Sequence, residues 1–278
     1  MRWYPAPGKL NLFLHVVGRR ADGYHELQTV FRLLDHGDRL RIRVRDDAQI
    51  VRVNEVPGVP AAEDLCVRAA HLLQRHTGCR LGTEIELDKV LPMGGGLGGG
   101  SSDAATTLIV LNRLWGLQLP GVELRALAVQ LGADVPVFVF GENAFAEGVG
   151  EHLTAITLAP AWYVVLVPPI AVSTARIFAD LQLTRNTNRI KMSAFFAGAV
   201  GNDLEEVACR HFPVLRNYLD WLKQHAPAQM TGSGACVFAS FAEEHLARGV
   251  FASRPPYMKG FVAQGLEHHP LRDMIFGE

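Results

Sequence analysis

The chain has 278 residues, 49% of them hydrophobic and 20% charged, which is enough apolar mass for two packed cores. A formal net charge of −1 leaves no basic excess of the kind that nucleic-acid binders carry, so no nucleic-acid partner is expected. No uncharged apolar run reaches the roughly 18 residues that signal a membrane span, and the opening Met1-Arg-Trp-Tyr-Pro-Ala-Pro-Gly-Lys9 lacks the apolar core of a secretory signal; a cytoplasmic protein with no membrane partner is expected.

In chain order, Leu10-Asn-Leu-Phe-Leu-His-Val16 alternates. Leu10, Leu12, Leu14 and Val16 share one face, and Lys9, Asn11, Phe13 and His15 the other, which predicts a strand with one face in the core. Asp22-Gly23 signals a turn. Residues 40–45 alternate with their arginines outward, Asp46-Asp47 turns the chain, and residues 50–53 follow as the next strand of an antiparallel meander. Residues 63–75 have helical spacing, with Gly78 beyond their end. Residues 83–90 form a strand that runs into Pro92-Met-Gly-Gly-Gly-Leu-Gly-Gly-Gly-Ser-Ser102. A buried helix over 103–115 follows, with Ser101 and Ser102 as N-cap candidates, then a helix over 123–131 stopped by Gly132. Beyond Leu158-Ala-Pro-Ala-Trp162 come a strand at 163–167, helices at 173–181 and 212–225, a glycine turn at Gly232-Ser-Gly234, a further strand, a helix at 243–251 and a strand at 260–264. Half-exposed strands mixed irregularly with helices predict an α+β protein. Two domains are expected, 1–158 and 159–278, with mainly antiparallel sheets, helices packed on one side and a cleft between them.

The glycine-rich segment can build a polyphosphate site from backbone alone. Without a Cβ, amide N–H groups can turn inward and the chain can approach a ligand closely, while the next helix aims its positive end at the same anion. A flexible linker does not suit a segment wedged between an alternating strand and an apolar helix. A Walker loop fails, because no lysine follows these glycines and Gly8-Lys9 continues with Leu10. A dinucleotide fingerprint matches by letters at Gly94, Gly96 and Gly99. Its context is poor: the preceding strand alternates Glu84, Glu86 and Asp88 with Ile85 and Leu87, and Leu119-Pro120-Gly121 stands where the ribose-binding acid belongs. The His-Arg-Asp and Asp-Phe-Gly motifs of protein kinases are missing.

A fourth design fits. Pro92-x-Gly-Gly-Gly-Leu-Gly-Gly-Gly-Ser-Ser-Asp-Ala-Ala105 opens a helix, and Pro7-Gly-Lys-Leu-Asn-Leu12, Leu131-Gly-Ala-Asp-Val-Pro-Val-Phe138 and Met230-Thr-Gly-Ser-Gly-Ala-Cys-Val-Phe238 accompany it in order. On these motifs the chain resembles, over nearly its whole length, the kinase superfamily named for galactokinase, homoserine kinase, mevalonate kinase and phosphomevalonate kinase (GHMP). Lys9-Leu-Asn-Leu-Phe-Leu-His-Val16 and Arg19-Arg-Ala-Asp-Gly-Tyr-His-Glu-Leu-Gln-Thr-Val-Phe31 resemble the branch that acts on a cytidine diphosphate-linked methylerythritol. The resemblance implies ATP as phosphoryl donor, Mg²⁺ on its phosphates, and phosphorylation of that small molecule's 2-hydroxyl on the way to isoprenoid precursors. A monomer or weak homodimer is expected.

Phosphoryl transfer to an alcohol needs in-line positioning, charge neutralisation and an acceptor for the hydroxyl proton. Asp134, at a helix start after a glycine break, has the chemistry of that acceptor; alone, Asp134-Val-Pro136 would read as a helix cap. The resemblance implies that Asp134 is the general base and that Lys9 pairs with it. It also implies that Asn11 reaches the same substrate. The triphosphate would lie on Pro92, Met93, Gly94, Gly95, Gly96, Leu97, Gly98, Gly99, Gly100, Ser101 and Ser102, with Thr231 as a further hydroxyl contact and residues 232–234 flanking it. By the same resemblance Tyr24 stacks on the cytosine, His25 hydrogen-bonds its edge, and Phe178 is the opposing aromatic. Asp64 stands where the family carries Asn, near the expected adenine pocket, and Pro168-Pro169-Ile170 also departs from its pattern.

Cys66, Cys79, Cys209 and Cys236 form no Cys-x-x-Cys pair and read as buried thiols of a reducing compartment. The eleven histidines form no ligand cluster, and His268-His269 is expected at the surface. Three alternatives stay open beside the kinase: a dinucleotide oxidoreductase, which would bind a nicotinamide cofactor; a non-catalytic member of the same fold, which would lack turnover; and a kinase for another sugar or alcohol.

Overall fold

The computed structural model describes residues 2–198 and 201–276. β1 spans Trp3–Arg19 and pairs antiparallel with β2, His25–Arg45, along most of its length. Both faces of β1 are buried, contrary to the one-sided pattern expected: Ala6 packs under the helices of the first core, Leu10 between two sheets, and Leu14 and Val16 in the second core. Alternation of Leu with Asn and Lys hid this, because the polar side chains on the second face are buried too. β3, Ile50–Arg52, runs parallel to β4, Gly82–Asp88, not antiparallel to β2. The cause is α1, Leu65–Thr77, which crosses between them and returns the chain in the same direction. Asp64 caps α1, accepting from Cys66 N–H at 2.8 Å.

α2, Gly99–Leu114, begins inside the glycines. Gly98 turns the chain at φ 72°, so Ser101 and Ser102 fall within the first turns and cap nothing; Ser102 is buried. α3 (Gly121–Val129), α4 (Val135–Phe140), β5 (Ala144–Glu147) and β6 (His152–Ala155) complete the first layer pair. Its sheet runs β3-β4-β2-β5-β6, with β1 also paired to β2. Then follow β7 (Trp162–Val167), α5 (Thr174–Ala179), α6 (Met192–Phe196), α7 (Glu205–His211), α8 (Val214–Lys223), β8 (Ala228–Met230), β9 (Val237–Phe241), α9 (Glu244–Ala252), β10 (Lys259–Gln264) and α10 (Arg272–Phe276). The second sheet is antiparallel throughout, in the order β10-β7-β9-β8.

Each sheet carries helices on one face. α1–α4 cover the first around Leu40, Ile85, Leu108 and Leu127. α7–α9 cover the second around Val164, Leu166, Leu219 and Ala247. The two uncovered faces meet through Leu10, Leu34, Tyr163 and Val165. This is an α+β architecture with mainly antiparallel pairing. Leu271 and Ile275 return at the end of the chain to pack in the first core.

His268 lies at the surface as expected, but His269 is buried. Its Nδ1 accepts from Leu271 N–H at 3.0 Å, and burial pushes its imidazole down to about 3. A folded-state pKa below the unfolded value means that stability is intact above about pH 6.5 and falls as the pH drops toward the folded pKa. Between pH 7 and pH 5 this residue alone is expected to cost about 2 kcal/mol. Urea unfolding at both pH values checks this; His269→Asn, which keeps the acceptor, should remove that share of the loss, and an unchanged loss would reject the assignment.

Candidate active site

A cleft of about 410 Å³ opens where the glycine loop, the first turn of α2 and the second glycine turn meet. All of residues 92–101 line it, with Lys9, Asn11, Asp134, Phe178 and residues 232–234. Ser102 does not: its Oγ is buried without a partner, on the core side of α2. The two glycine turns are joined by backbone. Ala235 N–H donates to Gly94 O at 3.2 Å, Cys236 N–H to Gly95 O at 3.0 Å, and Lys9 N–H to Leu97 O at 2.9 Å. Carbonyls of the loop are thus consumed by the protein. The N–H groups that open α2, which have no partner within the helix, belong to residues that line the cleft.

Glycine is required where the turns touch. Gly96 has φ 77°, and a Cβ there would stand 2.2 Å from Thr231 O. Gly98 has φ 72°, and its Cβ would stand 3.0 Å from the Phe138 ring and 3.2 Å from Lys9 Cε.

Lys9 is only 2% exposed. A buried ammonium needs acceptors for its three donors, and it has them: Asn11 Oδ1 at 2.6 Å, Gly96 O at 3.0 Å and Asp134 Oδ2 at 3.2 Å. It also lies 5.4 Å from the Phe31 ring centroid. Asn11 is fixed in turn, its Nδ2 donating to Thr29 Oγ1 at 3.0 Å while Thr29 Oγ1 donates to Phe13 O. Asp134 stands at the start of α4 yet makes no capping hydrogen bond. Its side chain is 37% exposed, so one carboxylate faces both Lys9 and the open cleft. The structure brings Lys9, Asn11 and Asp134 together at one point of the cleft.

Thr231 is not free for a phosphate. Its Oγ1 accepts from Asn11 N–H at 3.0 Å and donates to Gly96 O at 3.3 Å, so it ties β1 to the loop. Asp64 is equally occupied, by Cys66 N–H and by the buried Arg52 at 2.8 Å, and it does not line the cleft. Tyr24 is 64% exposed on its turn and, like His25, is not part of the cleft lining. His25 stacks on Phe178 with ring centroids 4.9 Å apart. Its Nε2 accepts from Arg185 Nε at 3.0 Å, which leaves the imidazole proton on Nδ1. Burial, then the charges of Arg185 and Arg19, hold this imidazole below its ordinary pKa. Arg185 was not foreseen. It also donates to Phe178 O at 3.0 Å and Asp180 O at 2.6 Å, and nothing in its polar surroundings in sequence marks it.

Two family descriptions match the chain: the GHMP kinases N terminal domain over residues 64–142 and the GHMP kinases C terminal over 184–253. The chain is 60% identical over 272 residues to the 4-diphosphocytidyl-2-C-methyl-D-erythritol kinase of Thiobacillus denitrificans, covering 98% of each. It is 58% identical over 271 residues to that of Aromatoleum aromaticum, covering 98% of this chain and 95% of its relative. A crystal structure of 4-(cytidine 5'-diphospho)-2C-methyl-D-erythritol kinase superposes with a TM-score of 0.81 at 33% identity, over 95% of this chain and 99% of that one. Homoserine kinase from Cytophaga hutchinsonii shares the fold, with a TM-score of 0.68 at 16% identity over 96% of this chain and 94% of that one.

Proposed function

The chain belongs to the 4-diphosphocytidyl-2-C-methyl-D-erythritol kinases of the GHMP family, and from that premise we propose how its residues carry out the reaction. It is an ATP-dependent kinase of a small molecule. It transfers the γ-phosphoryl group of ATP to the 2-hydroxyl of 4-diphosphocytidyl-2-C-methyl-D-erythritol, a step toward isoprenoid precursors. The observation that carries the mechanism is the half-exposed Asp134 carboxylate 3.2 Å from a buried ammonium at the floor of a glycine-lined cleft.

The triphosphate lies against residues 92–101 and the open N–H groups of α2. Mg²⁺ bound with the nucleotide would neutralise charge on the triphosphate; among the described residues no group of three or more His, Cys, Asp or Glu is arranged to hold a metal. Asp134 accepts the proton of the attacking hydroxyl as the O–P bond forms and the bond from the γ-phosphorus to the bridging oxygen breaks; ADP departs with the bridging oxygen. Lys9 orients the carboxylate and offsets negative charge on the hydroxyl oxygen. Asn11, held by Thr29, fixes Lys9 in turn. His25, stacked on Phe178 and held by Arg185, presents its Nδ1–H to a cytosine acceptor, and the exposed Tyr24 supplies the face on which the base stacks.

Residues 1–158 form the nucleotide-binding unit in this account, and 159–278 complete the substrate side. ATP supply and unpaired thiols suit the cytoplasm.

The test is ADP release with ATP, Mg²⁺ and the cytidine compound, beside galactose, homoserine, mevalonate and phosphomevalonate. Turnover is expected with the cytidine compound alone; turnover with another alcohol would reject the substrate. Tyr24→Ala is expected to raise KM for the cytidine substrate about 5–150-fold, the worth of one base stack. Its KM for ATP should hold, and an effect confined to ATP would remove Tyr24 from the base site.

A further inference from the structure

Behind the glycine loop, one lysine serves two buried carboxylates. Asp38 on β2 is 1% exposed and Asp103 on α2 is 3% exposed. Lys89, just past β4, donates to Asp103 Oδ2 at 2.5 Å and to Asp38 Oδ2. Asp38 is fully employed, since its Oδ1 also accepts from Val90 N–H at 2.5 Å and Leu91 N–H at 2.8 Å. These bonds hold the segment that leads into the loop. Among the described residues Asp103 has only Lys89; its Oδ1 is buried without a partner. Lys89 also lines the cleft, with its side chain 21% exposed.

Among the described residues, groups facing this cluster bring no free cation: His36, close to Asp38 on β2, is held below its ordinary pKa by burial. Asp64, at the start of α1, is tied to Arg52 of β3 at 2.8 Å, and the Cys66 thiol of α1 is pushed well up by burial. The cluster of Asp38, Asp103 and Lys89 therefore carries one more negative than positive charge when both carboxylates are ionised, away from water.

We propose that Asp103 is a positioning residue for the nucleotide: ATP binds with uptake of a proton at this carboxylate as Lys89 turns from it toward the phosphates. The proposal rests on the nucleotide cleft described above. When the ammonium swings away, Asp103 loses its one hydrogen bond, and an ionised carboxylate would be left buried and unpaired. A proton from solvent neutralises it, while Asp38 keeps its two N–H donors and the loop stays anchored. The phosphates add negative charge near the same helix end and act in the same direction.

The free protein is poised for this. Burial pushes the Asp103 carboxyl up to about 7 against the pull of Lys89, with Asp38 and Asp64 adding to the rise. With the bound-state pKa above the free-state one, affinity is highest below the free pKa and falls as pH rises through it. Between pH 7 and pH 8 the Kd of a non-hydrolysable ATP analogue is expected to weaken about fivefold.

Calorimetric titration of the full chain with that analogue, in buffers of different ionisation enthalpy, reads the proton uptake directly. Wild type is expected to take up a fraction of a proton that grows from pH 7 to pH 8, and Asp103→Asn to take up less by that fraction, with a flatter Kd. Phosphate titration of the ligand is common to both proteins and cancels. Equal uptake in the two would overturn the proposal, and no binding to wild type would overturn the nucleotide cleft itself. Should Asp103→Asn fail to fold, infrared difference spectra decide: the carbonyl stretch of a neutral carboxylic acid is expected to grow when nucleotide is added at pH 8, in wild type and in Asp134→Asn alike. Absence of that band, or its loss in Asp134→Asn, would overturn the proposal.

Discussion

Replacing Asp134 with Ala is expected to lower kcat by about 10²–10⁴-fold while the Kd for an ATP analogue changes little. The carboxylate makes no capping bond, so α4 loses nothing when it is removed. Lys9 keeps Asn11 and Gly96 O as acceptors, and water can replace the third, because Asp134 is 37% exposed. The fold should therefore survive, and the loss should fall on the chemical step. Asp134→Asn sharpens the result: it keeps the shape beside Lys9 but cannot take a proton at neutral pH. If Asn restored most of the turnover lost with Ala, Asp134 would be a positioning group and not the base.

Gly96→Ala is expected to remove measurable nucleotide binding, with Kd raised at least about 100-fold, and to destabilise the chain by about 3 kcal/mol or more. The new methyl would stand 2.2 Å from Thr231 O and 3.2 Å from Gly234 O, both backbone atoms, at φ 77°. Nothing flexible can yield. Gly96 O is also the acceptor for Lys9 Nζ and Thr231 Oγ1, so any shift reaches the reacting centre. Gly249→Ala, in α9 and away from the cleft, is the control. Its added Cβ would meet nothing within 4 Å, and alanine favours the helix it sits in. Thermal unfolding and analogue binding, run on both variants, decide. Equal tolerance would mean that the two glycine turns are not the rigid unit described here.

Much of this site was legible because its motifs are local. The glycine run, Asp134 after Gly132, and Lys9 with Asn11 two residues apart on one strand face each carry their geometry in adjacent residues. What stayed hidden depends on distant partners. Asp64 read as a departure from the family near the adenine pocket, but Arg52 claims it across a parallel crossover that strand alternation could not reveal. Ser102 read as a cap because Ser often caps; Gly98 had already turned the chain, and helical spacing then aimed Ser102 inward. Thr231 read as a phosphate contact and is a stitch between β1 and the loop. α7 was too short to show a period, and His269 looked like His268 until Leu271 and the returning tail covered it.

The seam between the two glycine turns also has a consequence for biosynthesis. Thr231 reaches Asn11 across 220 residues of sequence and Gly96 across 135. A nascent chain that has emerged only through Asp134 already carries its glycine run, its base and its lysine, yet lacks the wall that shapes them. Such long-range closure forms late. Nucleotide that binds the closed cleft therefore favours the completed molecule over folding intermediates that lack this wall.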